Sequence, residues 1–277
     1  MNNQNSILLI DPTFDPATTV SCTLLVKIGV DNFSYAIINK ELNKVIAVYD
    51  EQEVPDISIK LSERITADPY FSLSFKEVKI AVATTNVIDI PNEFYTNEVV
   101  KLQAKFFQQT HSENIYTTLH SNFNFTSVYS FPPTIDGIIN QSFANSKKYQ
   151  QHTALLKAAE SYTGNSLFID FTVRSIQILH LVERSIVFQQ CYEIETVEEF
   201  NYYLLLITNQ LAINFNETVI YISGIIDEED QKYNCLKKYF NDIKFLNLVD
   251  FNLDQHVLAD MPAHYYTTLL ALDQCAS

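Results

Sequence analysis

The chain has 277 residues, 47% of them hydrophobic, with 16 Tyr and 19 Phe, enough to bury one large core or two ordinary ones. Only 18% are charged, which excludes a disordered chain. The net charge of -15 repels phosphate backbones and anionic lipid surfaces, so nucleic acid is not an expected partner.

No apolar run approaches the roughly 20 residues that span a bilayer. The opening stretch, MNNQNSILLIDPTFDP, has no basic region and meets Asp11 and Pro12 almost at once, unlike a signal peptide. The expectation is a cytoplasmic protein with no membrane insertion. Cys22, Cys191, Cys235 and Cys275 are far apart and form no C-x-x-C pair, which suits buried, reduced thiols.

In chain order, an irregular arm with Pro12 and Pro16 carries one short strand, Ile7 to Ile10. Three strands follow closely: 21–30 (SCTLLVKIGV), 33–39 (FSYAIIN) and 44–50 (KVIAVYD). A polar helix is expected over 51–68, then a buried strand over 77–84 (EVKIAVAT). Pro91 suits the first turn of a helix through Gln109. The short apolar run 127–131 is followed by a helix from Pro132-Pro133 to Ser146, and 149–161 (YQQHTALLKAAES) has helical periodicity.

After the turn cluster YTGNS the pattern restarts. Strands are expected at 167–173, 175–182 and 185–193. Thr196 with Glu199 has capping-box spacing for a long helix to Asn214. A buried strand over 217–223 ends at Gly224, the acidic run 227–230 opens a helix, and 243–248 is a fifth strand. A last helix is expected from Met261-Pro262 to Cys275. Both halves thus share one order: three meandering strands, helix, strand, helix, strand, helix. The expected domains are 1–150 and 151–277.

Three antiparallel strands followed by alternating helix and strand resemble the ribonuclease-H-like unit. Two in tandem resemble the actin and sugar-kinase superfamily of ATPases, an α/β fold of two domains around a central cleft. KIAVATTNVIDIPNEFY is similar to a segment of the actin-like proteins of pilus assembly and type II secretion. LLVKIGVDNFSYAIIN, NVIDIPNEFY, YQQHTALLKAAES and NSLFIDFTVRSIQILHL resemble the bacterial family called domain of unknown function 3822.

The superfamily resemblance implies ATP with Mg²⁺. A carboxylate in each first hairpin would order the metal, and nearby glycines would admit phosphate to backbone N–H groups. The first acidic position falls at Lys27, which binds phosphate as a point charge but holds no metal. Gly29 is retained, and Asp31 and Ser34 stand a few positions away. In the second hairpin Asp170 matches the acidic position, followed by Phe171 and Thr172 with no glycine. Of the adenosine motif, Ser223 and Gly224 are present and Ile225 replaces a second glycine.

Glycine usually makes up about 7% of residues; this chain has 4, at Gly29, Gly137, Gly164 and Gly224, too few for three nucleotide-facing loops. The expectation is a non-enzymatic interaction or scaffold protein with no cofactor, no catalytic residue and a protein partner. The alternative is an ATP-binding switch or phosphotransferase using Gly29, Asp31, Ser34, Asp170, Thr172 and Gly224. Each residue also has a plain structural reading: Gly29 as a turn entry, Asp170 as an ion-pair partner of Arg174 or a lysine, Gly224 as a strand-end turn.

His111, His120, His152, His180, His256 and His264 show no close ligand spacing, so no metal site is expected. His152 reads as a packed or capping residue. A homodimer is neither required nor excluded, and no heptad run is present.

Overall fold

A computed structural model describes residues 5–108, 113–248 and 252–275. Strand β1 (Ser6–Ile10) is followed by β2 (Cys22–Ile28), β3 (Phe33–Asn39) and β4 (Lys44–Glu51). Every residue of β2 and β3 is buried. Their near-continuous apolar sequences therefore belong to a sheet covered on both faces. Helix α1 (Ile57–Ala67) starts later than the sequence suggested. Glu51 ends β4, Pro55 keeps the preceding residue extended, and the Asp56 carboxylate accepts from the N–H groups of Ser58 and Ile59.

Strand β5 (Glu77–Val82) runs parallel to β2. Next comes a small antiparallel sheet made of β6 (Val87–Pro91), β7 (Tyr116–His120) and β8 (Phe125–Tyr129), with helix α2 (Asn97–Gln103) between its first two strands. Two expectations are corrected here. Pro91 ends an edge strand and does not open a helix, a place where a missing ladder N–H is tolerated. The helix waits for Thr96, whose hydroxyl accepts from the Val99 N–H at 3.2 Å. The expected helix end, Gln109, lies outside the described residues, as does His111.

The second correction concerns 127–131, whose strand residues belong to β8 of this small sheet. The sixth and last strand of the main sheet is β9 (Lys147–Gln150), reached after α3 (Pro133–Ser142). Its sequence, KKYQ, is polar because β9 is an edge, so no hydrophobic pattern marks it. Helix α4 (His152–Ala159) follows.

The second half runs β10 (Asn165–Phe171), β11 (Ser175–Val182), β12 (Ser185–Glu193), α5 (Val197–Gln210), β13 (Val219–Gly224), α6 (Gln231–Leu236), β14 (Ile243–Phe245) and α7 (Thr267–Ala271). Thr196 and Glu199 form the expected capping box at α5. Asp230, the last residue of the acidic run, caps α6 through the Lys232 N–H. Helix α7 starts five residues beyond Pro262, which sits in a turn closed by Tyr265 N–H to Pro262 O at 3.0 Å.

One sheet runs β1-β4-β3-β2-β5-β9 and the other β12-β11-β10-β13-β14. Apart from β1, the order is the same: three antiparallel strands, then two parallel ones. Helices α4 and α7 pack together between the sheets. Ala154 and Leu269 join Leu25 and Ala36 of the first sheet, while Leu155 and Ala271 join Phe168 and Leu179 of the second. Among the described residues no helix is long and apolar enough to cross a membrane.

Candidate functional site

Lys27 and Asp170 are the penultimate residues of β2 and β10, the equivalent first strands of the two halves. Register extends each position across its sheet. Lys27 is opposite Ser34, which is opposite Asp50. Asp170 is opposite Gln177, which is opposite Cys191. Residues in register on neighbouring strands share a face, so these two rows meet where the halves meet.

At their centre Lys27 Nζ donates to Asp170 Oδ2 at 2.8 Å and to Thr268 Oγ1 at 2.7 Å. Thr268, on α7, in turn donates to Asp170 Oδ2 at 3.0 Å. The other carboxylate oxygen, Oδ1, accepts from Ser223 Oγ at 2.8 Å. Ser223 stands beside Asp170 on the parallel strand β13. The side chains of Lys27 and Asp170 are 9% and 1% exposed, so the pair is out of water. A buried pair of this kind persists only with further hydrogen bonds around it, and here Thr268 and Ser223 supply them. Arg174, the other partner considered for Asp170, pairs with Glu195 at 3.1 Å.

The two hairpin loops close on themselves. The Gly29 N–H donates to Asn32 O at 2.9 Å, and the Asp31 carbonyl accepts from the Val54 N–H at 2.7 Å. Asp31 Oδ1 accepts from Asn32 Nδ2 at 3.1 Å. Ser34 is buried on β3 beside Lys27. In the second loop the Thr172 N–H donates to Ser175 O at 2.9 Å, and the Ser175 N–H donates back to Thr172 Oγ1 at 2.9 Å. Gly224 ends β13 at φ +80°, where a Cβ would overlap the Phe171 carbonyl. Its N–H donates to His264 O at 2.9 Å. Of the six candidates, Asp170 sits in the centre, Ser34 flanks Lys27, and Gly29, Asp31, Thr172 and Gly224 occupy the turns around it.

Sequence reasoning missed Asp50, Gln52, Cys191 and Thr268. Burial pushes the Asp50 carboxyl up to about 6, against the hydrogen bonds from Gln52 and the charge of Lys27. Gln52 Nε2 reaches Asp50 Oδ1 at 2.9 Å, and Gln52 Oε1 accepts from the Val173 N–H of the second hairpin at 3.5 Å. Burial likewise raises the Cys191 thiol to about 11, so it stays protonated. His152 is buried at the start of α4, and its ring is lowered to about 4 by burial. Only a strand register carries the signal for Asp50 and Cys191, and only tertiary packing brings Thr268.

Beside the pair, at the carboxyl ends of β2 and β5, lies a cavity of about 390 Å³. Ile28, Val82, Pro132 and Ile135 of the first half line it, with Cys191 and Glu193 of β12. Among the described residues no group of three or more His, Cys, Asp or Glu side chains is arranged to hold a metal ion.

The fold has solved counterparts. A Bacteroides thetaiotaomicron protein with an actin-like ATPase fold and unknown function superposes with a TM-score of 0.77 at 19% identity, over 95% of this chain and 100% of that one. The PilM-PilN type IV pilus biogenesis complex gives a TM-score of 0.57 at 12% identity, over 92% and 98%. The cytoplasmic domain of EpsL, an inner-membrane component of the type II secretion system of Vibrio cholerae, gives 0.52 at 10% identity, over 93% and 96%. The fold is therefore actin-like, as the tandem ribonuclease-H-like reading anticipated. Among curated proteins no sequence matches significantly. The profile of the protein family of unknown function DUF3822 matches residues 11–243, and the chain belongs to that family.

Proposed function

We propose that the chain is a non-enzymatic interaction or scaffold protein built on the actin-like fold, working without bound nucleotide or metal. The Lys27–Asp170 pair carries the reading. A magnesium ion needs oxygen ligands; Lys27 offers none, and both Asp170 oxygens already accept from Lys27, Thr268 and Ser223. The backbone N–H groups of Gly29 and Thr172, the natural phosphate donors of the two hairpins, are spent within their own turns. The residues present do not fit a metal-bound triphosphate in this arrangement.

The docking side of the reading rests on surface chemistry. Around α2, Phe94, Leu102 and Phe106 are 61%, 55% and 79% exposed. Large exposed apolar groups clustered along one segment suit a protein partner. A fold neighbour was solved as a pilus-assembly complex, which makes partner docking by this architecture reasonable here. The acidic surface and four free cysteines fit a reducing, cytoplasmic setting.

Titration calorimetry with ATP and Mg²⁺ tests the reading, using the full chain and Asp170→Asn. The expected result is no saturable heat with either. Saturable heat in the native chain that is lost in Asp170→Asn overturns it in favour of an ATP-binding switch, in which Lys27 would have to release Asp170.

A further inference from the structure

The cavity beside the Lys27–Asp170 pair goes beyond that reading and stands without it. We propose that it binds a small primary amine with an apolar or aromatic body. Its volume of about 390 Å³ lies within the usual range for small-molecule sites. It opens at the carboxyl ends of parallel strands, the edge where open α/β sheets bind ligands.

Chemistry sets the class of ligand. The walls formed by Ile28, Val82, Pro132 and Ile135 are apolar and suit a flat or branched hydrocarbon body. The lining contains no Lys or Arg, and its one ionisable carboxylate is Glu193. Glu193 and Cys191 lie two apart on β12 and so present the same face. An ammonium group finds a counter-charge at Glu193, whereas a phosphate or carboxylate finds none. The overall charge of -15 favours approach of a cation in the same direction.

The test uses tryptamine, because the chain contains no Trp and the probe's indole fluorescence stands clear of the protein's. Its anisotropy is followed as the full chain is added. The expected result is a saturable rise for tryptamine and none for indole-3-propionate, the matching acid. Ala83→Phe, which places a ring against the cavity wall, is expected to weaken binding about tenfold or more. Glu193→Gln, at an exposed position, leaves the fold intact and weakens it several-fold. No saturable rise, equal binding of the acid, or indifference to both substitutions overturns the proposal. Gly29 also lines the cavity, so the tryptamine titration is run without ATP or Mg²⁺, and its outcome is read separately from the nucleotide result.

Discussion

Lys27 Nζ lies 2.8 Å from Asp170 Oδ2, although 143 residues separate them, because the two hold the same place in the first strand of each half. The ion pair therefore ties one half of the molecule to the other at its pseudo-symmetric centre. Removing one partner leaves a charge buried without its counter-ion, which costs about 3–5 kcal/mol. Replacing both by apolar groups removes that penalty. Urea unfolding of Lys27→Met, Asp170→Leu and the double variant is expected to give two strongly destabilised singles and a double far short of their sum. Additive losses would mean that the two groups act separately.

A second expectation concerns pH. Burial holds the Asp50 carboxyl at about 6 in the folded chain, above its ordinary value of 3.8. The folded state thus binds the proton more tightly than the unfolded one. The resulting stabilisation is full below about pH 4 and is lost as pH rises through about 6. Its size is on the order of 2–3 kcal/mol. The buried rings of His120 and His152, both lowered to about 4, act in the opposite sense as pH falls from about 6.5. The difference between the native chain and Asp50→Asn isolates the carboxyl: the variant is more stable at pH 7.5, and the advantage disappears by pH 4. A pH-independent difference would contradict this.

Much of this architecture was readable in the residues. The hairpins of both halves carry continuous apolar runs, and those runs mark strands buried on two faces. Where a strand is short, polar and at an edge, as with Lys147–Gln150, burial leaves no pattern to read. Pro91 misled because proline suits both a helix start and the end of an edge strand; the β-branched residues Val87, Ile88 and Ile90 before it were the better signal. At the site, Lys27 and Asp170 could each be placed at a hairpin position. Their contact, and the arrival of Thr268 from the last helix, depend on how the two halves pack, which no local pattern encodes.

Two glycines should respond oppositely to alanine. Gly224 has φ +80°, and a Cβ there would overlap the Phe171 carbonyl and come within 2.8 Å of the Phe171 nitrogen. Left-handed backbone costs about 1–2 kcal/mol for a residue with a side chain, and the clash adds to it by forcing β13 away from β10. Gly137 sits on the exposed side of α3 with nothing within 4 Å of an added Cβ. There alanine stabilises the helix by about 1 kcal/mol. Thermal melts of Gly224→Ala and Gly137→Ala should therefore move in opposite directions. A neutral Gly224→Ala would mean that the β13 end relaxes freely.

The β11–β12 hairpin offers the last expectation. Val182 pairs with Ser185, leaving Glu183 and Arg184 as a two-residue turn with φ of 50° and 68°. Positive φ at both central residues is the type I′ geometry, whose favoured sequence is Asn-Gly. Glu and Arg adopt it only against the contact of Cβ with the carbonyl oxygen. Both side chains are exposed, so replacing them removes no core packing. The double variant Glu183→Asn/Arg184→Gly keeps the Glu183-position N–H bonded to Gly164 O and relieves that strain. It is expected to gain about 1 kcal/mol, read as a higher urea midpoint at unchanged slope. A midpoint that stays put or falls would show that the entropy lost by the glycine on folding outweighs the strain relieved.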